Sequence, residues 1–280
     1  MSLAKRLNKL GGGNNFEQLI GNAFDLSVKS QNKPRKTRPN IKPSKAGCIR
    51  QMFYILAEFP VRESDSVNVE MTMIQKEGTV MHGVLQEILA GSKEQGIEFL
   101  DPVKEVAKAR QMGINTEVRR SSHDTDDSYE VTCYNTDFDI SFKFDGTITF
   151  QSKKFILEIK NEDHFKWTKR IKPDPDHVLQ ATLYSLCLSI NYVLFWYQNR
   201  NYQRKKLYMV EITEEMRQEQ IMRIKIAKFC KEHKIVPAKT NHKGCTYCAY
   251  KSSCKKHGDI THEGHIDPEL FDKFKFGRPA

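Results

Sequence analysis

The 280-residue sequence has no apolar run approaching the roughly 20 residues that a membrane-spanning helix needs. Met1 to Leu10 carries charge but no apolar core of the signal-peptide kind. An intracellular, cytoplasmic setting is therefore expected, with no membrane partner. There are no internal repeats, which argues against a solenoid or propeller. Acidic residues are scarce at the start of the chain: residues 1–50 hold only Glu17 and Asp25 against 11 Lys/Arg, a net +9. The remaining 230 residues hold 34 basic against 33 acidic residues, so most of the net +10 belongs to the first fifty. The chain as a whole, with 39% apolar and 29% charged residues, has the composition of a soluble globular protein. In an intracellular setting the seven cysteines read as thiols or metal ligands rather than disulfides.

The basic stretch Lys29 to Lys45 contains Pro34, Pro39 and Pro43, which forbid regular helix. It reads either as a solvated tail or as an extension that binds a polyanion. Residues 1–45 are expected to form a poorly ordered arm with one short helix over Phe16 to Ser27. From Cys48, Ile49, Met52, Phe53 and Leu56 have helical spacing. Thr79 to Ala90 predicts a helix with Thr79 as N-cap, ended by Gly91, with Val80, Val84, Leu85, Ile88 and Leu89 facing inward. Strands are expected over Ile114–Arg119, Tyr129–Tyr134, Phe138–Phe144, Thr147–Phe150 and Phe155–Ile159, with a polar loop over Ser121–Ser128. Asp174-Pro175-Asp176 opens a helix to Ile190, followed by strands Tyr192–Gln198 and Lys205–Ile212 and a charged helix Glu214–His233. This order predicts an α/β domain around a mixed sheet. Residues 46–236 form that domain, and 237–280 a cysteine-rich module and tail.

The stretch Phe155-Ile156-Leu157-Glu158-Ile159-Lys160 organises the chain. As a strand it sends Phe155, Leu157 and Ile159 to one face and Ile156, Glu158 and Lys160 to the other. A carboxylate and an ammonium thus project together from an otherwise apolar strand. Asp145 lies upstream, at the end of the alternating run from Ile140 to Phe144. Two acids and a lysine so arranged hold a divalent metal ion and a water beside a phosphate, the chemistry of a metal-dependent nuclease. The ordinary reading of Asp145-Gly146 is a tight hairpin turn. Gln180 and Tyr184 fall four apart, on one face of their helix. His82 lies mid-helix among apolar neighbours.

Cys245-x2-Cys248-x5-Cys254 packs three thiols within ten residues, a metal-like spacing. His257 as fourth ligand would complete a zinc site; Cys48, some 200 residues upstream, would complete the four-thiolate ligation of an iron–sulfur cluster. Cys133, Cys187 and Cys230 read as core thiols.

In order, the chain carries Cys48, Gly78-Thr79-Val80-Met81-His82, Phe144-Asp145-Gly146, Glu158-Ile159-Lys160, Gln180-x3-Tyr184 and the Cys245/Cys248/Cys254 cluster. This set resembles the RecB-like branch of the PD-(D/E)xK nucleases, and more narrowly the CRISPR-associated iron–sulfur exonucleases and their phage relatives. The resemblance spans about residues 46–257. It implies a restriction-endonuclease-like core with a central mixed sheet flanked by helices, and a [4Fe-4S] cluster on Cys48, Cys245, Cys248 and Cys254. His82, Asp145, Glu158 and the Ile159 backbone carbonyl would hold Mg2+ or Mn2+, with Lys160 catalytic beside Glu158 and Asp145. Gln180 and Tyr184 would support the site or contact DNA, and Glu117 is a further acid to consider. The implied activity is an exonuclease on single-stranded or end-bearing DNA, 5′ to 3′. Its implied setting is recombination, CRISPR or phage replication, in a host cytoplasm if phage-encoded. Phe144 stands where the family's motif has proline. The alternative is a non-catalytic or partner-dependent DNA-binding protein with a structural zinc or iron–sulfur site.

Overall fold

The computed structural model of the chain describes residues 16–31, 38–61, 69–119, 129–240 and 243–257. Parts of the basic arm (1–15 and 32–37), the whole Ser121–Ser128 insert and the tail beyond 257 lie outside the described residues. Helix α1 spans Phe16–Gln31, α2 Ile49–Leu56 and α3 Val69–Ala90. Strand β1 (Ile97–Leu100) and helix α4 (Pro102–Gln111) follow. Three short strands come next: β2 (Thr116–Val118), β3 (Cys133–Asn135) and β4 (Ile140–Phe142). The hairpin β5 (Gly146–Phe150) and β6 (Lys153–Glu162) leads through α5 (His164–Lys169) to α6 (Pro175–Leu188). The chain then runs through β7 (Tyr192–Asn199), β8 (Lys205–Glu211), α7 (Glu214–Glu232) and α8 (Lys251–Lys256).

The main sheet has the order β1-β5-β6-β7-β8. Only β6 and β7 run parallel, joined by the crossover helix α6; the other neighbours are antiparallel. This is the expected mixed sheet between helices. Ile156 on β6, with Val193, Phe195 and Tyr197 on β7, packs with Ala181, Leu183 and Tyr184 of α6. On the opposite face Leu157 and Ile159 pack with Leu85 and Leu89 of α3. The period of two along β6 thus separates the two layers. β6 outruns the expected Phe155–Ile159 because its register with β7 continues to Glu162 opposite Asn199.

Local chemistry sets the helix starts. Asp174 caps α6 by accepting the Asp176 N–H, with Pro175 in the first turn. Asp101 and Thr213 cap α4 and α7 in the same way. Thr79 is not a cap: α3 starts at Val69, and the Thr79 hydroxyl donates to the carbonyl of Gln75. Nor does all of the expected apolar stripe face inward. Leu85 and Leu89 are buried, but Val80, Val84 and Ile88 are exposed, because the sheet covers only one flank of this helix.

The expected strands between 114 and 144 shrink to three residues each and form a second sheet, β2-β3-β4, apart from the main one. Nor is Asp145-Gly146 the hairpin turn. The turn between β5 and β6 is Gln151-Ser152, both at positive φ, while Gly146 pairs with Leu157. Packing reaches upstream of residue 46: Ile41 is fully buried and bridges Ile140. Among the described residues no helix is long and apolar enough to cross a membrane.

Candidate functional site

Asp145 stands at the start of β5, where that strand and β6 part. The pairing of Gly146 with Leu157 puts its carboxylate beside the next stretch of β6, and Oδ2 accepts the Ile159 N–H at 2.6 Å. Leu85 and Leu89 seat α3 on the sheet, and His82, one turn earlier, reaches the same carboxylate. Its Nδ1 lies 3.2 Å from Asp145 Oδ1. Buried Gln86, a turn after His82, donates through Nε2 to the Asp145 backbone carbonyl at 2.7 Å and to Glu130 Oε1 at 3.2 Å. Glu130 comes from the chain just before β3. His82, Glu130 and Asp145 each offer a ligand atom, all within 4.8 Å of one another. An imidazole and two carboxylates make a donor set that fits Mn2+ or Mg2+.

Glu158 and Lys160 share the other face of β6, as the alternation requires. Glu158 is buried and ion-paired with Lys160 Nζ. Lys160 Nζ also lies 3.3 Å from Gln180 Oε1, and Gln180 Nε2 donates to the Tyr184 hydroxyl at 2.7 Å. The helical spacing that put Gln180 and Tyr184 on one face therefore aims both toward the lysine.

The electrostatics divide the two aspartate and glutamate carboxyls. Burial, with the Asp145 charge adding to it, pushes Glu158 up to about 7 against the pull of Lys160. Burial acts on Asp145 in the same direction. There the His82 charge and hydrogen bond, Lys160 and the Ile159 N–H outweigh it and hold the carboxyl below its usual range. For His82 burial works against the charged ring, but Asp145 wins and raises it. A cation here would relieve the cost of ionising Glu158 beside Asp145.

Glu130 was not singled out in the sequence, where it sat inside an expected strand. The available signal was weak: Val131, Cys133 and Asn135 are buried at alternate positions, leaving Glu130 on the other parity. Glu117 is not brought to this group; it lies on β2 and pairs with Arg119 at 2.6 Å. Ile159 contributes its amide to Asp145.

Cys48, Cys245, Cys248 and Cys254 line one cavity of about 200 Å³. Cys48 caps α2, its Sγ accepting the Gln51 N–H, and Cys254 lies on α8. None is in a disulfide. Arg50, 1% exposed, stands beside them, with Nη1 3.5 Å from Cys254 Sγ and Nε donating to the Pro237 carbonyl at 2.7 Å. Burial pushes the Cys48 and Cys248 thiols up. Four convergent thiols fit an iron–sulfur cluster or a tetrahedral zinc ion. His257 is not among the residues lining the cavity; its Nδ1 bonds the Tyr54 hydroxyl at 2.9 Å. Cys133, Cys187 and Cys230 are buried in the hydrophobic core.

No family model matches the chain, and no curated protein matches it. Among solved structures it is similar to the crystal structure of SSO0001, at 14% identity over 86% of this chain and 96% of that one, with a TM-score of 0.46. It is also similar to an alkaline exonuclease, LHK-Exo, from Laribacter hongkongensis, at 12% identity, 71% and 90% coverage and a TM-score of 0.36. The same exonuclease in complex with dAMP gives 10% identity, 70% and 89% coverage and a TM-score of 0.35.

Proposed function

We propose that this chain is a divalent-metal-dependent nuclease that hydrolyses DNA phosphodiesters at the parting of β5 and β6. The observation that carries the reading is the convergence of His82, Glu130 and Asp145 beside the Glu158–Lys160 pair. His82, Asp145 and Glu158 would hold Mg2+ or Mn2+, joined by Glu130 and by the Ile159 carbonyl. Such an ion lowers the pKa of a bound water and offsets charge building on the phosphate oxygens. Lys160 would orient the attacking water or hydrogen-bond a non-bridging phosphate oxygen. Gln180, fixed by Tyr184, holds that ammonium toward the site. Gln86 positions Asp145 and Glu130 together through one amide.

The four thiols around one cavity support a [4Fe-4S] cluster on Cys48, Cys245, Cys248 and Cys254, with a structural role. The order of motifs along the chain, which resembles the iron–sulfur exonucleases, supports action on single-stranded or end-bearing DNA, 5′ to 3′.

The test is incubation of purified protein with end-labelled linear and circular single-stranded DNA, with and without Mn2+. Metal-dependent loss of linear strands, abolished by Glu158→Ala, is expected. Cleavage that persists in Glu158→Ala would overturn the site. No cleavage by folded, metal-loaded wild type would turn the reading to a DNA-binding or partner-dependent protein.

A further inference from the structure

Two grooves border α6, one at Gln180 and Tyr184 and the other at its N-terminal Asp174 and Pro175, and they differ in chemistry. The first, about 350 Å³, runs from Gln180 and Tyr184 along Lys42, Thr132, Ser141 and Lys143. Its walls offer ammonium groups and hydroxyls, and Lys143 and Thr132 are each two residues from a candidate metal ligand, Asp145 and Glu130. The second, about 400 Å³, is lined by Phe165, Lys166, Lys169, Ile171 and Lys172 on the segment between β6 and α6. Here Phe165 is 68% and Ile171 84% exposed.

That exposure belongs to a firmly tied segment. Arg170 forks onto Glu162 at 2.7 and 2.6 Å. Lys206 Nζ donates to the carbonyls of Trp167, Thr168 and Arg170, and the Tyr208 hydroxyl donates to that of Arg170. The turn is held with Phe165 and Ile171 turned to solvent, and Lys169 Nζ lies 3.8 Å from the Phe165 ring centroid, on one face.

His177, Gln180 and Tyr184, spaced three and four apart, share one face of α6 between the two grooves' points of contact with the helix. The Tyr197 hydroxyl accepts the Asp174 N–H and lies 2.9 Å from His177 Nδ1. Burial, and then the charges of Lys160, Lys166 and Arg170, keep His177 neutral, at about 3. Tyr197 is the register partner of Lys160, and its hydroxyl touches both His177 and Asp174, a residue that lines the second groove, so the lysine and that groove lie on the same face of the sheet.

We propose that a single extended nucleic-acid strand crosses the catalytic centre from groove to groove, with phosphates held on both sides and bases stacked only on the Phe165 side. The inference rests on the nuclease reading, takes the single-stranded substrate from it, and adds the path that strand follows. Lysines and hydroxyls grip a backbone without reading bases, whereas an exposed ring on a rigid turn offers an unpaired base a stacking face. Lys42 and Lys143 serve the phosphates in the first groove, Lys166 and Lys172 those in the second.

The test uses the full chain and oligonucleotides with 2-aminopurine at successive positions, binding measured in EDTA and cleavage in Mn2+. In wild type the 2-aminopurine signal should change on one side of the cut only. Phe165→Ala should abolish that change and weaken binding about tenfold, as loss of one stacked base does. Lys42→Ala and Lys172→Ala should each reduce the salt dependence of binding by about 0.7 of a log–log slope. Ile171→Ala, with an unchanged melting temperature, is a second probe of the same ledge and should weaken binding too. A wild type that cuts in Mn2+ while the Phe165 and Lys172 variants bind as it does would overturn the path and leave the nuclease reading standing. Tighter binding of a blunt duplex than of a single strand would overturn the strandedness. A wild type that neither binds nor cuts any oligonucleotide would overturn both readings.

Discussion

Asp145 Oδ1 lies 3.2 Å from His82 Nδ1, a contact that joins the helix α3 to the start of β5. Each partner sets the other's charge, so neither can be replaced neutrally. His82→Ala and Asp145→Asn should each lower the rate of DNA cleavage by about 10²- to 10³-fold, the scale for loss of one preorganised electrostatic group. Calorimetric titration with Mn2+ should show the same variants binding the ion more weakly. Wild-type affinity in both would rule out this pair as metal ligands.

Metal-free protein should lose stability as pH rises from about 5 to 8. Burial raises Glu158 from 4.5 to about 7, so the folded state binds the extra proton between those values. Stability from this group falls across that window. His82, raised above 6.5 by Asp145 despite its burial, stabilises fully below 6.5 and loses that as pH passes its raised value. Asp145 acts the other way, but only in acid, below its ordinary 3.8. Melting temperatures in EDTA should therefore decline from pH 5 to 8, Glu158→Gln should flatten the decline, and Mn2+ should stabilise most at the alkaline end. A flat wild-type profile would contradict the buried Glu158.

Gly146 has φ +145°, and a Cβ there would lie 2.3 Å from Phe99 Cζ. Gly146→Ala should destabilise by about 1–3 kcal/mol from backbone strain alone. It should also displace the neighbouring Asp145. Chemical denaturation measures the first effect and Mn2+ affinity the second. Adding Phe99→Leu should recover the part due to collision and leave the part due to φ.

Arg50 is fully enclosed beside Cys254. Cys48→Ala should lower bound iron and solubility before it disturbs the metal site near Asp145. Arg50→Gln should cost about 2 kcal/mol or more, since it leaves buried acceptors short of a charged donor. Iron and sulfide analysis, with absorbance near 400 nm (roughly, for thiolate-bound clusters), follows both. Full iron content and wild-type melting in Cys48→Ala would refute the structural role of the cavity.

The sequence made legible what depends on local period and left hidden what depends on pairing across the chain. Alternation alone separated Glu158 and Lys160 from Leu157 and Ile159, and helical spacing alone put Gln180 beside Tyr184. Glu130 was invisible because its place beside Asp145 depends on Gln86, 44 residues away in the chain. Val80, Val84 and Ile88 misled because an apolar stripe shows which side of a helix is greasy, not whether anything covers it. Thr79 resembled a cap only because the ten residues before it, already helical, lack a strong apolar period.

Arg50 and Cys254 are 204 residues apart, yet they meet at one cavity with Cys48. At roughly 5–20 residues per second of synthesis, Cys48 leaves the ribosome about 10–40 s before its last partner thiol exists. For that interval the first thiol is an open, unmatched nucleophile on a growing chain. A centre held by all four thiols could close only once Cys254 has been made, so its loading would report that synthesis has passed that residue.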